Sequence, residues 1–225
     1  MVVALTKIQL FAVVRWCRHA ALDQDTQDLT VWIHLRKAIK VAAQGLSLLV
    51  ALPFAAVAGF GRFSHSFHGF AQFLALVPGL IGDYVRVAFY VLTLQKCALG
   101  SRVSFGSFFA HSSAVVGTGV YIGAYCVLGS CEIGEGTQIA SHVQILSGRH
   151  QHHREADGYL QGAKEKHFSQ VIIGEHCWIG AAAVIMADVG PGTTVGAGAI
   201  VTRALPGGVV AVGNPARPRT TTSCE

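Results

Sequence analysis

From Val116 almost to the end of the chain, an aliphatic residue recurs at every sixth position. Val116-Gly117, Ile122-Gly123 and Leu128-Gly129 open the series, and Ile133-Gly134, Ile139-Ala140 and Ile145 continue it after a one-residue slip. A second run reads Ile173-Gly174, Ile179-Gly180, Ile185, then Val195-Gly196 and Val201. A period of six is neither the 3.6 of a helix nor the 2 of a strand. It suits a chain that turns one corner of a triangular coil every six residues and stacks its aliphatic residues inside, which predicts a parallel β-helix of hexapeptide repeats. The glycine after the aliphatic fits a corner, where φ > 0 can be needed and a side chain would crowd the next coil. The step from Ile185 to Val189 is four residues where six would be regular, so one coil is expected to be shortened, with a local effect on stacking.

The chain has 225 residues, room for one or two domains. Hydrophobic residues make up 52% and charged ones 13%, about half the charged share of an average soluble domain. That balance points to a membrane, a large oligomer interface, or both. The six cysteines (Cys17, Cys97, Cys126, Cys131, Cys177 and Cys224) form no CxxC pair and no zinc spacing, and read as reduced thiols of a cytosolic protein. Lys7, Arg15 and Arg18 interrupt the first apolar patch and no small-residue cleavage site follows, which argues against a signal peptide. With a net charge of +5 and several of its bases near the apolar front half, the expected partner is an anionic lipid surface, and no nucleic acid is expected.

Residues 1–100 are expected to form a helical, membrane-associating region. Val41 to Phe60 is a 20-residue stretch without a charge, long enough to span a bilayer. Pro53 favours a kink past its middle. A single span would also place Arg15, Arg18, Arg36, Lys37 and Lys40 outside if the C-terminal half is cytoplasmic, against the positive-inside bias. A re-entrant hairpin or an interfacial helix pair bent at Pro53 meets both constraints. A second apolar stretch, Gly69 to Gly82, is too short to span, and its continuation to Leu94 past Asp83 and Arg86 reads as a helix lying in the interface. The alternative is that these helices bury their apolar faces within the domain or between subunits.

The rhythm stops after Ile145 and resumes at Ile173. The intervening loop, 147–170, carries His150, His152 and His153 in Ser-Gly-Arg-His-Gln-His-His-Arg. A long insertion leaving a regular scaffold is where reactive groups concentrate. Imidazoles can serve as a general base. Clustered histidines also suit zinc, although the loop alone supplies no complete ligand set; a solvated polar loop is the bland alternative, and a general base is the preferred reading.

The coil, the Ser-Gly-Arg-His-Gln-His loop, Cys-Trp-Ile-Gly-Ala (177–181), Val-Gly-Ala-Gly-Ala-Ile-Val-Thr-Arg (195–203) and Val-Gly-Asn-Pro-Ala-Arg (212–217) resemble the hexapeptide O-acyltransferases. The similarity covers residues 101–219 and falls nearest the galactoside and xenobiotic acetyltransferases and their membrane-associated polysaccharide-modifying relatives. The resemblance implies a mainly β fold, with a left-handed parallel β-helix over 101–225 behind the helical region. It further implies acetyl-CoA as acyl donor, no metal, a homotrimer, and a loop histidine, His150 or His152, as general base. Carried over by position, the donor groove falls on Ala181, Ala197, Thr202, Arg203 and Arg217: small residues beside the pantetheine arm, arginines for the phosphates. Gly123 to Ser130 lacks the asparagine that the galactoside branch presents to its sugar, so a different acceptor pocket is implied. The expected activity is acetylation of a sugar hydroxyl on a lipid-linked glycan or exopolysaccharide precursor at the cytoplasmic face of the membrane. A non-catalytic trimeric membrane scaffold and a metal-dependent hydratase are the competing readings.

Overall fold

The computed structural model describes the backbone of residues 7–147 and 169–219, with side chains from Trp32 onward. The chain divides into two compact units, residues 1–45 and 46–225. Three helices come first: α1 (Lys7–Val57), α2 (Ser64–Ala75) and α3 (Gly79–Thr93). Within α1, Trp32–Val57 is long and apolar enough to cross a membrane by length and composition, with mean hydropathy 1.6.

Pro53 lies inside α1 and does not end it. The reversal expected there falls instead at Gly59-Phe60-Gly61, where φ is 58°, 52° and 88°. Two glycines accept this left-handed backbone without the Cβ clash that would oppose it elsewhere. A Cβ at Gly61 would also run into the carbonyl of Thr93, at the end of α3.

The coil then forms as expected and begins one turn earlier than the rhythm suggests. Its first face carries β1 (Lys96–Cys97), β4 (Val115–Val116), β7 (Cys131–Ile133) and β10 (Val171–Ile173). The second carries β2 (Arg102–Val103), β5 (Tyr121–Ile122), β8 (Gln138–Ile139), β11 (Trp178–Ile179), β13 (Thr194–Val195) and β15 (Val210–Val212). The third carries β3 (Phe108–Phe109), β6 (Val127–Leu128), β9 (Gln144–Ile145), β12 (Val184–Ile185) and β14 (Ile200–Val201). All pairs in these three sets are parallel, and β16 (Arg217–Arg219) closes the second face antiparallel to β15. Each inward aliphatic sits over its counterpart, as in Val103↔Ile122↔Ile139↔Ile179↔Val195↔Ala211. These side chains are buried and form one continuous core.

The four-residue step after Ile185 keeps the stack intact. Val189 bridges Ile173 on one side and Leu205 on the other, and the same four-residue step recurs from Val201 to Leu205. The glycines that follow the aliphatics are required by crowding alone: a Cβ at Gly123 would lie 2.6 Å from the carbonyl carbon of Ala140, and none of the set has positive φ. Left-handed backbone occurs two residues further on, at Gly119, Gly136, Gly192 and Gly198.

An open coil end would expose the core, and repeat folds need a cap there. Here α2 and α3 provide it. Tyr90 packs edge-on against Phe109 with centroids 5.0 Å apart, and Phe67 stacks on Phe89 at 5.8 Å. Within the stretch Gly69–Leu94, expected to lie in the membrane interface, most of α3 is packed on the coil instead, and of its large apolar side chains Leu80 and Ile81 near its start stay exposed. The helix buries Val85, Val87, Ala88, Phe89 and Tyr90 within the fold, because its apolar face meets the first coil.

Arg86 is fully buried at this junction. Its Nε donates to the Val103 carbonyl (3.0 Å), and Nη1 donates to the carbonyls of Val77 (2.6 Å) and Leu74 (3.1 Å). Nη2 pairs with Asp83 (2.6 Å), which also holds Arg102 (2.8 Å). One guanidinium thus satisfies the C-terminal carbonyls of α2 and ties both helices to the coil. Burial lowers its pKa, partly opposed by Asp83.

Candidate functional site

The histidine loop leaves and rejoins the coil at one corner, between the third and first faces. Ser169 N–H donates to the Ser147 carbonyl at 3.2 Å, so the neck is closed. The buried Ser147 hydroxyl accepts from Ser130 N–H (2.9 Å), and Val171 N–H donates to the Ser130 carbonyl (3.0 Å). Gln170 Nε2 reaches the Ser113 carbonyl (3.3 Å), and the hydroxyls of Ser113 and Ser130 bond each other at 3.0 Å. Three successive coils therefore clamp the neck. The base candidates His150 and His152, together with His153, lie outside the described residues.

The donor-groove candidates line two corners and one end of the third face. Ala181 and Ala197 are exposed on the second-to-third corner of adjacent coils, joined by Gly198 N–H to the Ala181 carbonyl (2.8 Å). Gly198 has φ 68°, and a Cβ there would meet open space. Thr202 and Arg203 sit at the third-to-first corner, on the same column as the loop neck and two coils along. Arg217 begins β16, just after Ala216 donates to the Ile200 carbonyl of β14 (2.8 Å). The five do not converge on a point; they frame the outer face between the corners. Arg203, Arg217 and Arg219 are exposed and make no ion pair among the described residues. Arg217 Nη1 donates to the Ala216 carbonyl at 3.0 Å; small groups along a corner and guanidinium groups free of carboxylate partners at its margins fit a thin amide-bearing chain with phosphates at one end.

Residues not foreseen from the sequence also gather at the neck. A cleft of about 340 Å³ is lined by Ser64 and Phe67 of α2, by His111 and Ser113 of the first coil, and by Ser130 and Gln170. A second cavity of about 320 Å³ shares Ser64 and His111 and adds His65 and His68. His68 bonds Gln72 (2.9 Å) and meets Phe108 edge-on at 5.6 Å. The pair His65 and His68, three apart on one helix face, was the available signal. On the opposite corner Tyr125 and His142 stack at 5.3 Å, both with positive φ (59° and 63°). Among the described residues no group of three or more His, Cys, Asp or Glu is placed to hold a metal ion.

Residues 113–147 match the family described as bacterial transferase hexapeptide (six repeats). The match falls within the parallel β-helix, whose coils carry the six-residue repeat. Among solved structures it is similar to a maltose O-acetyltransferase from Clostridium difficile 630, with 22% identity, TM-score 0.57, and coverage of 70% of this chain and 87% of that one. It is similar also to the hexapeptide-repeat containing acetyltransferase VCA0836 from Vibrio cholerae, with 18% identity, TM-score 0.54, and coverage of 70% and 91%. These two likenesses establish the fold. The bifunctional protein GlmU of Azotobacter vinelandii is 30% identical over 117 residues, 51% of this chain. The chain spans 22% of the length of that relative.

Proposed function

We propose that the chain is a membrane-docked, acetyl-CoA-dependent O-acetyltransferase acting on a sugar hydroxyl of a lipid-linked glycan or exopolysaccharide precursor. The observation that carries this reading is the third-to-first corner. The neck of the histidine-bearing loop and the Thr202-Arg203 pair share one column, with the small-residue corner of Ala181 and Ala197 across the same face. A donor lying along that face would bring its thioester within reach of the loop. The acetyltransferase names of both structural neighbours support the same chemistry.

In the proposed reaction His150, with His152 as the alternative carrier, removes the proton of the acceptor hydroxyl. The acceptor oxygen attacks the thioester carbonyl and a C–O bond forms. Backbone N–H groups stabilise the oxyanion. The C–S bond then breaks, and the CoA thiolate takes the proton from the imidazolium. No redox partner is required. The homotrimer is part of the proposal by likeness to the family.

Membrane docking rests on the helices. Leu46, Leu49, Val50, Leu52 and Val57 of α1 are exposed, as are Phe60 and Phe63 in the turn and Phe73, Leu76, Leu80 and Ile81 near the α2–α3 connection. So many large exposed apolar groups mark an interaction surface. Docking at the cytoplasmic face gives a water-soluble donor and an amphiphilic acceptor a common site. The test is release of free thiol from acetyl-CoA by the full chain in nanodiscs over a panel of lipid-linked sugars. Turnover that His150→Ala or His152→Ala abolishes while CoA still binds supports the reading; no turnover across the panel by protein that is folded counts against it.

A further inference from the structure

We infer that the paired cavities between α2 and the first coil form the acceptor subsite, and that they take the glycosyl head of an amphiphile. The inference rests on the acyl-transfer reading for its reaction but on separate residues for its site. A sugar head offers closely spaced hydroxyls and one apolar ring face. Its complement is a ring of hydroxyl, amide and imidazole groups around an aromatic surface. The cavities hold these groups. Ser64, Ser113 and Ser130 supply hydroxyls, Gln170 an amide, and His65, His68 and His111 imidazoles. Phe67, held almost wholly buried against Phe89, contributes apolar lining to the first cavity, and the half-buried Phe108 lies edge-on to His68.

Not all of this polar capacity is consumed by the fold. The Ser113 and Ser130 hydroxyls satisfy each other, and Gln170 is committed through one N–H. The side chains of Ser64 and His65 make no hydrogen bond among the described residues. Both lie in the first turn of α2, where Ser64 lines both cavities and His65 lines the second. A floor of satisfied serines beneath a rim of available donors and acceptors suits reversible binding of hydroxyls.

Two neighbours fix the class further. Ser113, Ser130 and Gln170 are the residues that clamp the neck of the histidine loop, so a head group here sits where that loop begins. Ser64 directly follows exposed Phe63, and Phe60 is exposed in the same turn. A head in the cleft can therefore lay its hydrocarbon tail along that turn. A free sugar would leave those aromatics unused, whereas an alkyl- or polyprenyl-linked one engages both parts.

The test uses the full chain in a zwitterionic, sugar-free detergent and a dodecyl maltoside carrying a diazirine on the sugar. After irradiation, labelled peptides are mapped, and CoA binding is measured separately by calorimetry. The expected result is labelling of peptides containing residues 64–68 and 110–113, suppressed by excess unlabelled dodecyl maltoside. Free maltose is expected to compete poorly. Labelling should fall about fivefold to tenfold in His65→Ala, the loss expected for one or two hydrogen bonds, and likewise in Ser64→Phe, which fills the rim. Labelling that avoids both peptides, or that neither variant changes, overturns the subsite even if CoA binds. Labelling of the cleft by a protein that binds no CoA upholds the subsite and removes the transferase reading.

Discussion

Replacing Arg86 by Leu should destabilise the 46–225 unit more than any single change at the surface. The side chain is fully buried and makes short bonds to three backbone carbonyls and to Asp83. Leucine fits the apolar surroundings but takes the charged donor away from the Val103 and Val77 carbonyls, while the Leu74 carbonyl keeps the Val77 N–H at 3.2 Å. Bonds to a charged donor contribute about 1.5–3 kcal/mol each. Two effects reduce the sum: Asp83 keeps its bond to Arg102 at 2.8 Å, and the new leucine gains apolar burial. Roughly 3–5 kcal/mol remains, the range for removing one member of a buried ion pair. That is a large part of the 5–15 kcal/mol that holds a typical domain together. Arg86→Lys should recover little, because one compact ammonium cannot reach acceptors spread over α2, α3 and β2. Urea unfolding of the detergent-solubilised full chain, followed by far-ultraviolet circular dichroism, reads the difference. A loss below about 1 kcal/mol for Arg86→Leu would refute the claim that this guanidinium joins the helices to the coil.

Gly180→Ala should cost about 1–3 kcal/mol through overpacking, because the new Cβ runs into the Ala197 backbone nitrogen. Gly198→Ala has open space but φ 68°, and should cost about 1–2 kcal/mol through left-handed strain alone. A second-site change that moves Ala197 would rescue only the former. Burial pushes the Cys97 thiol up to about 11 and that of Cys131 to about 12 from an ordinary 9.0. The unfolded chain therefore loses these protons first. The contribution to stability is complete below pH 9 and is lost as pH rises through the folded values. Urea midpoints should fall between pH 9 and 11, and less steeply in Cys131→Ala; an equal fall in both would contradict the assignment. His150→Ala should lower kcat by about 10²–10⁴-fold, the contribution of a positioned general base, with CoA affinity unchanged. If His152→Ala alone has that effect, the role moves two residues along.

The coil was legible because a six-residue period has no competing explanation once it persists from Val116 to Val201. Its first turn was not, since Val103 and Phe109 are followed by Ser104 and Ala110 rather than by glycine. Val189 and Leu205 hold the first face at four-residue steps, which a search by sixes passes over. The crowding at corner glycines was readable, but the left-handed positions two residues later are shared with Tyr125, His142, His176 and Ala182, and so leave no glycine signature. Arg86 looked like a charge punctuating an interfacial helix, because no local pattern reveals that carbonyls of α2 and β2 converge on it. The small-residue corners and the arginines beside them were assigned to a donor by the family resemblance, carried over position by position. The cleft did not: Ser64, His111, Ser130 and Gln170 are far apart in the chain, and only the stacking of coils under α2 assembles them.

The most direct test of the central claim is calorimetric titration of CoA into the full, detergent-solubilised chain, compared with Arg217→Ala and Arg203→Ala. Saturable binding that weakens about tenfold on loss of a charge-assisted phosphate contact is the predicted result. Folded wild-type protein that gives no binding heat and no competition with labelled CoA would contradict the account.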